Sequence, residues 1–218
     1  SAISSKGQEQ GDKTMPRLPI ALAVGLMLCP FAPAQETAPA TAPAFPHIGA
    51  QAPDFTLPNL TSTDNTPVTL SDVISAHPLT VIIWSSTQCP VVQAYNSRIN
   101  SVVSDYADRD VAFLIINSNA TEPNDEIVSH AGRVGYTAPV LRDAGNVVAD
   151  EYGAQRTPEV YVVDAHQNLR YHGRIDDSQD PARMHSQDLR NALDALLAGM
   201  DPPVTETIAR GCTIKRVE

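Results

Sequence analysis

The chain has 218 residues, 42% of them hydrophobic and 18% charged, so one ordinary domain with a buried core fits and wholesale disorder does not. Its formal charge of -10 argues against a nucleic-acid or anionic-membrane partner, because both demand clustered Lys and Arg. Eighteen prolines against four phenylalanines assign a good part of the sequence to linkers and turns.

Met15 and Arg17 precede the apolar run Leu18 to Leu28, and Ala32-Pro33-Ala34 follows as a small-x-small cleavage site. That is the pattern of a secretory signal peptide, and the run is shorter than the ~20 residues a membrane span takes. Residues 1–14 lie ahead of Met15, which is expected to be the true start. Leu28 precedes Cys29 where a lipoprotein signal wants a small residue, so Cys29 belongs to the removed segment. Residues 35–46 (QETAPATAPAFP) cannot bury enough apolar surface to offset their ordering entropy and read as a tether. Cleavage leaves Cys89 and Cys212 in an exported domain over 47–218. The expected location is the bacterial periplasm, with no membrane insertion after cleavage and with disulfides able to persist.

Gly49 to Leu57 and Val68 to Leu70 read as short extended pieces around a turn-rich stretch. Leu79 to Ser85 (LTVIIWS) is a β-branched run of the kind buried on both faces of a sheet. Val92, Tyr95, Ile99, Val102, Val103 and Tyr106 then keep helical spacing. Val111 to Asn117 predicts a second buried strand, Asp125 to Ala131 a helix, Pro139 to Leu141 a short strand and Asn146 to Tyr152 a short helix. Glu159 to Val163 and Leu169 to Gly173 flank a turn and predict a β-hairpin. Ser186 is positioned to cap a last helix that turns Leu189, Ala192, Leu193, Leu196 and Leu197 inward and stops at Gly199. The order predicts an α/β domain with helices on both faces of a central sheet.

Cys89 falls between a buried strand and the first turn of a helix, and Pro90 suits that turn because its missing N–H is no loss there. Backbone N–H groups and the helix dipole stabilise an anion at such a point, so the Cys89 thiol is expected to ionise readily into a nucleophilic thiolate. Thr157-Pro158 enters a predicted strand, where a cis bond would leave backbone groups free to dock an extended chain.

The blocks Trp84 to Pro90, Gly153-Ala154, Thr157-Pro158-Glu159, Gly173 to Ser178 and Gly211 to Lys215 resemble the thioredoxin superfamily. They are similar, more narrowly, to its redoxin group related to alkyl hydroperoxide reductases (AhpC/TSA), called peroxiredoxin-like. The resemblance implies a thioredoxin-like three-layer sandwich with a central mixed β-sheet. It also implies a redox enzyme that uses a cysteine without cofactor or metal, on a thiol/disulfide protein or a peroxide, with an unidentified reductant. The departures matter. Thioredoxins carry a second cysteine where Val92 stands, and part of the subgroup carries one where Ser86 stands. Peroxiredoxins surround the reactive sulfur with a Pro, a hydroxyl residue and an Arg; here Ile82 takes the proline's place, Ser86 could supply the hydroxyl, and Pro158 sits where the Arg would come, with Arg156 nearby. Thiol–disulfide exchange is therefore preferred to peroxide reduction, which stays as the alternative. A redox-inert binding or metal-carrying module is the non-enzymatic alternative.

Cys212 is the only partner left for Cys89. The stretch from Met200 to Cys212 reaches up to about 40 Å when extended, against about 18 Å for the last helix, so a return to the active-site end is permitted. Three states remain open: a redox-active Cys89–Cys212 pair, a structural bridge worth about 4–5 kcal/mol in the chain-entropy account, and a metal site with a histidine. No histidine lies at ligand spacing from either sulfur, and Gln93 stands where copper chaperones of this fold place a second cysteine. In the expected mechanism Cys89 attacks first and Cys212 resolves the product. Arg174 could support the thiolate and Asp176 or Asp177 relay a proton, although a solvated turn with a paired arginine is the plainer reading. Trp84 reads as core, and Asn117-Ser118-Asn119 as loop chemistry first and a substrate contact second.

Overall fold

A computed structural model describes residues 45–64 and 66–218. The expected signal segment and nearly all of the tether lie outside the described residues. Among the described residues no helix is long and apolar enough to cross a membrane.

The first strands, β1 (Thr56–Leu57) and β2 (Val68–Thr69), form a small antiparallel pair. The chain then enters a helix, α1 (Leu70–Ala76), where the sequence suggested extended backbone at Leu70. This helix is only two turns long, and what fixes it is the burial of Leu70 and Ile74.

The central strand β3 (Leu79–Trp84) is buried along its whole length, as its unbroken apolar run requires. It leads into α2 (Pro90–Asp105), which buries Val92, Tyr95, Ile99 and Val102 on one stripe. Strand β4 (Val111–Asn117), helix α3 (Asn124–Val134), strand β5 (Val140–Arg142) and helix α4 (Val147–Tyr152) follow. Next come β6 (Arg156–Thr157), β7 (Glu159–Asp164) and β8 (Leu169–Gly173). Helix α5 (Asp188–Leu197) and strand β9 (Cys212–Thr213) complete the order. The residue before α5 is Gln187, not Ser186; the Ser186 hydroxyl instead donates to Asp188 Oδ1 at 2.9 Å.

The main sheet has the order β5-β4-β3-β7-β8. Strands β3, β4 and β5 run parallel, whereas β7 is antiparallel to β3 and β8 to β7. On one face Val81, Ile83 and Ile115 meet α2, α3 and α5. On the other, Ile82, Trp84, Ile116 and Tyr161 meet α1 and α4. This is the three-layer α/β sandwich expected from the element order.

After α5 the chain returns. Thr207 N–H donates to the His172 carbonyl, and His172 N–H to the Thr205 carbonyl. Gly173 permits this approach, because its φ is +150° and a Cβ there would strike the Thr207 backbone. Farther on, β9 pairs antiparallel with β6, Arg156 opposite Thr213 and Thr157 opposite Cys212. Ile214 is buried in the second core, a contribution of about 1.5–3 kcal/mol for a side chain of its kind. The tail is thus part of the packed domain.

Candidate functional site

Cys89 is the last extended residue before α2, with φ −83° and ψ 115°. Pro90 occupies the first helical position, so the first helical N–H groups belong to Val91 and Val92. That of Val92 favours the Cys89 thiolate and that of Val91 the Cys212 thiolate. Cys89 Sγ lies 3.2 Å from the Thr157 carbonyl oxygen and 2.6 Å from Cys212 Sγ. Thr157-Pro158 is a cis peptide. Cys89, Pro90, Thr157, Pro158 and Cys212, separated by up to 123 positions, thus converge at one point.

The two sulfurs are not equivalent. Burial pushes the Cys89 thiol up, but the hydrogen bond from Cys212 and the N–H of Val92 outweigh it, and its pKa falls below the ordinary value. The Thr157 side chain adds to this lowering, and its buried hydroxyl has no hydrogen-bond partner among the described residues. For Cys212, burial and then the neighbouring Cys89 push the pKa up. The proton of a singly ionised pair therefore sits on Cys212. An ultraviolet titration of the reduced protein should show one thiolate forming below about pH 8.5, the value of a free cysteine, and the second above it. Two thiols ionising together near that value would contradict the split.

Beneath the loop that delivers Cys89 lies a carboxylate that sequence reasoning missed. Glu122 is 1% exposed. It accepts the Ser86 hydroxyl, the N–H of Thr87 at 2.8 Å, the N–H of Gln88 at 3.2 Å and the Asn117 amide at 2.6 Å. Burial raises its pKa, but these bonds outweigh burial and hold it below the usual carboxylate range. Ser86 is therefore a strut between the loop and Glu122, with no bond to the sulfur.

Glu159 does the same for the other half of the site. Its Oε2 accepts the N–H groups of Gln155 and Arg156, both at 2.7 Å, and its Oε1 lies 2.7 Å from His172 Nε2. Burial raises the Glu159 pKa, and the bonds from His172, Gln155 and Arg156 more than reverse that. The carboxylate thus pins the segment that carries β6.

Arg174 and Asp176 do not reach the sulfur. Arg174 Nε donates to Asp188 at 2.7 Å, and Asp176 accepts from Tyr95 at 2.8 Å and from Arg98 at 2.6 Å. These are structural ties from the segment after β8 to α2 and α5; Asp176 is buried and not part of a solvated turn. Asp177 accepts backbone N–H groups of His185 and Ser186. Asn119 binds the tail, accepting Lys215 N–H at 2.8 Å, while Trp84 is core and donates to Ser118. Among the described residues no group of three His, Cys, Asp or Glu is arranged to hold a metal ion.

The AhpC/TSA family model matches residues 48–172. An uncharacterized conserved protein from Geobacillus kaustophilus is 34% identical, with a TM-score of 0.72 over 79% of this chain and 93% of that one. A hypothetical protein from Sinorhizobium meliloti is 32% identical, with a TM-score of 0.70 over 78% and 95%. The thioredoxin domain of a thiol-disulfide oxidoreductase from Bacteroides vulgatus shares the fold at 12% identity, with a TM-score of 0.56 over 69% and 98%. No curated protein matches the sequence.

Proposed function

The chain belongs to the AhpC/TSA family of thioredoxin-like redox proteins, and from that premise we propose that it is an exported thiol–disulfide oxidoreductase whose Cys89–Cys212 pair cycles between dithiol and disulfide. The observation that carries the reading is the 2.6 Å approach of the two sulfurs at the start of α2, beside Pro158. A bond of about 2.05 Å needs little further movement from there. Cys89 is the stabilised thiolate of the pair, the better leaving group whenever a disulfide between them is attacked.

Peroxide reduction is less well supported. It needs a cation to polarise the O–O bond, and three of the arginines around the site are engaged elsewhere, Arg156 with Thr213, Arg174 with Asp188 and Arg98 with Asp176, which leaves Arg210, on the cleft beside Pro158, as the candidate. The export reading rests on the sequence from Met15 to Ala34, and it assigns the domain to the bacterial periplasm, where such a pair is kept in play by surrounding thiols and disulfides.

Thiol counting in a graded thiol/disulfide buffer tests the proposal. The processed chain should show two free thiols when reduced, and both should disappear together, without dimer formation, as the buffer becomes oxidising. Thiols that persist, or that couple between chains, would exclude the cycle.

A further inference from the structure

The strand edge beside Cys89 is already occupied. β6 ends at Thr157, whose carbonyl faces the Cys89 sulfur, and an extended partner that paired with β6 would bring its own cysteine alongside Cys89. In this chain β9 holds that place, with Cys212 opposite Thr157. Gly211 makes the fit possible: a Cβ there would stand 1.9 Å from the Thr157 oxygen. Beyond it the tail is fastened by Ile214 in the core, by Ile214 N–H on the Gln155 carbonyl and by Lys215 on Asn119 and Ala120. The cover leaves Cys89 only 1% exposed, while Cys212 is half-buried. Nearby, a cleft of about 300 Å³ is bordered by Pro158, Arg174 and Arg210, with neither cysteine in its lining.

We propose that the C-terminal tail is a permanent occupant of the β6 edge, so that the pair exchanges with small disulfides and thiols, met at Cys212, and not with protein disulfides. This rests on the redox reading above and reverses the order in which the two cysteines were expected to act. In the reducing direction the Cys89 thiolate takes the proton of Cys212 as Cys212 Sγ attacks one sulfur of a small disulfide RSSR. A mixed disulfide Cys212–S–S–R forms and RS⁻ leaves. That thiolate removes the proton from Cys89, whose sulfur then attacks Cys212 Sγ, closing the internal disulfide and releasing the second RS⁻. The sum is one protein thiol and one protein thiolate oxidised to the internal disulfide and one RSSR reduced to RSH and RS⁻, the second taking its proton from water. In the reverse direction a small thiolate attacks Cys212 and Cys89 leaves as the stabilised anion.

The test reads accessibility. In Cys212→Ser the remaining Cys89 stays covered by the tail, whereas in Cys89→Ser the remaining Cys212 is the less buried sulfur. With Ellman's reagent as the small disulfide at neutral pH, Cys212 should react about tenfold or more faster than Cys89. Adding Gly211→Ala or Gly211→Val to Cys212→Ser should lift the tail and raise the Cys89 rate by about tenfold, with mixed disulfides to oxidised insulin appearing only then. The wild-type chain should turn over hydroxyethyl disulfide at least about tenfold faster than insulin. A Cys89 that reacts as fast as Cys212, or insulin reduced as fast as the small disulfide, overturns the restriction and leaves the redox cycle standing. A wild-type chain that reduces neither overturns both. If the glycine variants do not fold, the comparison of single-cysteine chains and the wild-type ratio decide the matter.

Discussion

Replacing Cys89 by Ser is expected to reduce disulfide exchange to the uncatalysed background. Serine keeps the volume, but its hydroxyl ionises far above any working pH, so the helix start at Val92 has no thiolate to stabilise. Cys212 would remain able to form a mixed disulfide with a small oxidant, yet nothing would resolve it, so one equivalent is consumed and turnover stops. Stability should barely change, because the substituted group is small and its bonds to Thr157 and Cys212 suit a hydroxyl equally well. Steady-state reduction of hydroxyethyl disulfide is the measurement, with intact mass to count the trapped adduct. Activity above about a tenth of wild type would remove Cys89 from the centre of the reaction.

The second large effect belongs to Glu122, and it is on folding. Glu122→Ala strands the hydroxyl of Ser86, the N–H of Thr87 and the amide of Asn117, and leaves the N–H of Gln88 only its bond to the Ser86 hydroxyl oxygen. Each buried donor left without a partner costs about 1–3 kcal/mol, and a loss of about 3–5 kcal/mol is expected once water enters part of the space. Glu122→Gln keeps one acceptor oxygen and should cost roughly half as much. The carboxylate's pKa is lower in the folded state than in the unfolded chain. Its contribution is therefore complete above about pH 4.3, the unfolded value, and disappears as pH falls through the folded one. Urea unfolding of the wild type and both variants at neutral and acid pH measures the loss and its pH dependence together. A neutral-pH loss below about 1 kcal/mol would mean that the loop holds itself without the carboxylate.

What was legible in the sequence was what leaves a local signature. The β-branched run of β3 and the 3.6-residue spacing of α2 are patterns within one element, and they fixed Cys89 at the junction between them. Pro158 announced itself in the same way. By contrast β6 and β9 are two residues each, too short for any period, and their pairing joins positions 55 and 57 residues apart. α1 was hidden because the β-branched Val68-Thr69 continues straight into it. Glu122 stands in a polar stretch and reads as solvated; its one available clue was its place just past Asn117 at the end of β4, on the edge where Cys89 also lies. Arg174 and Asp176 were rightly placed near the hairpin's end, but only the fold shows that Asp188 and Arg98 claim them first.

The long separation between Cys89 and its partner has a bearing on biosynthesis. A ribosome delivers the chain from its amino end, so β3, α2 and the reactive sulfur emerge while Gly211 to Ile214 are still unmade. Until those last residues arrive, nothing covers the thiol, and any passing disulfide can couple to it. On the redox reading proposed above, a chain still lacking Gly211 to Ile214 presents Cys89 to partners that the completed fold shuts out.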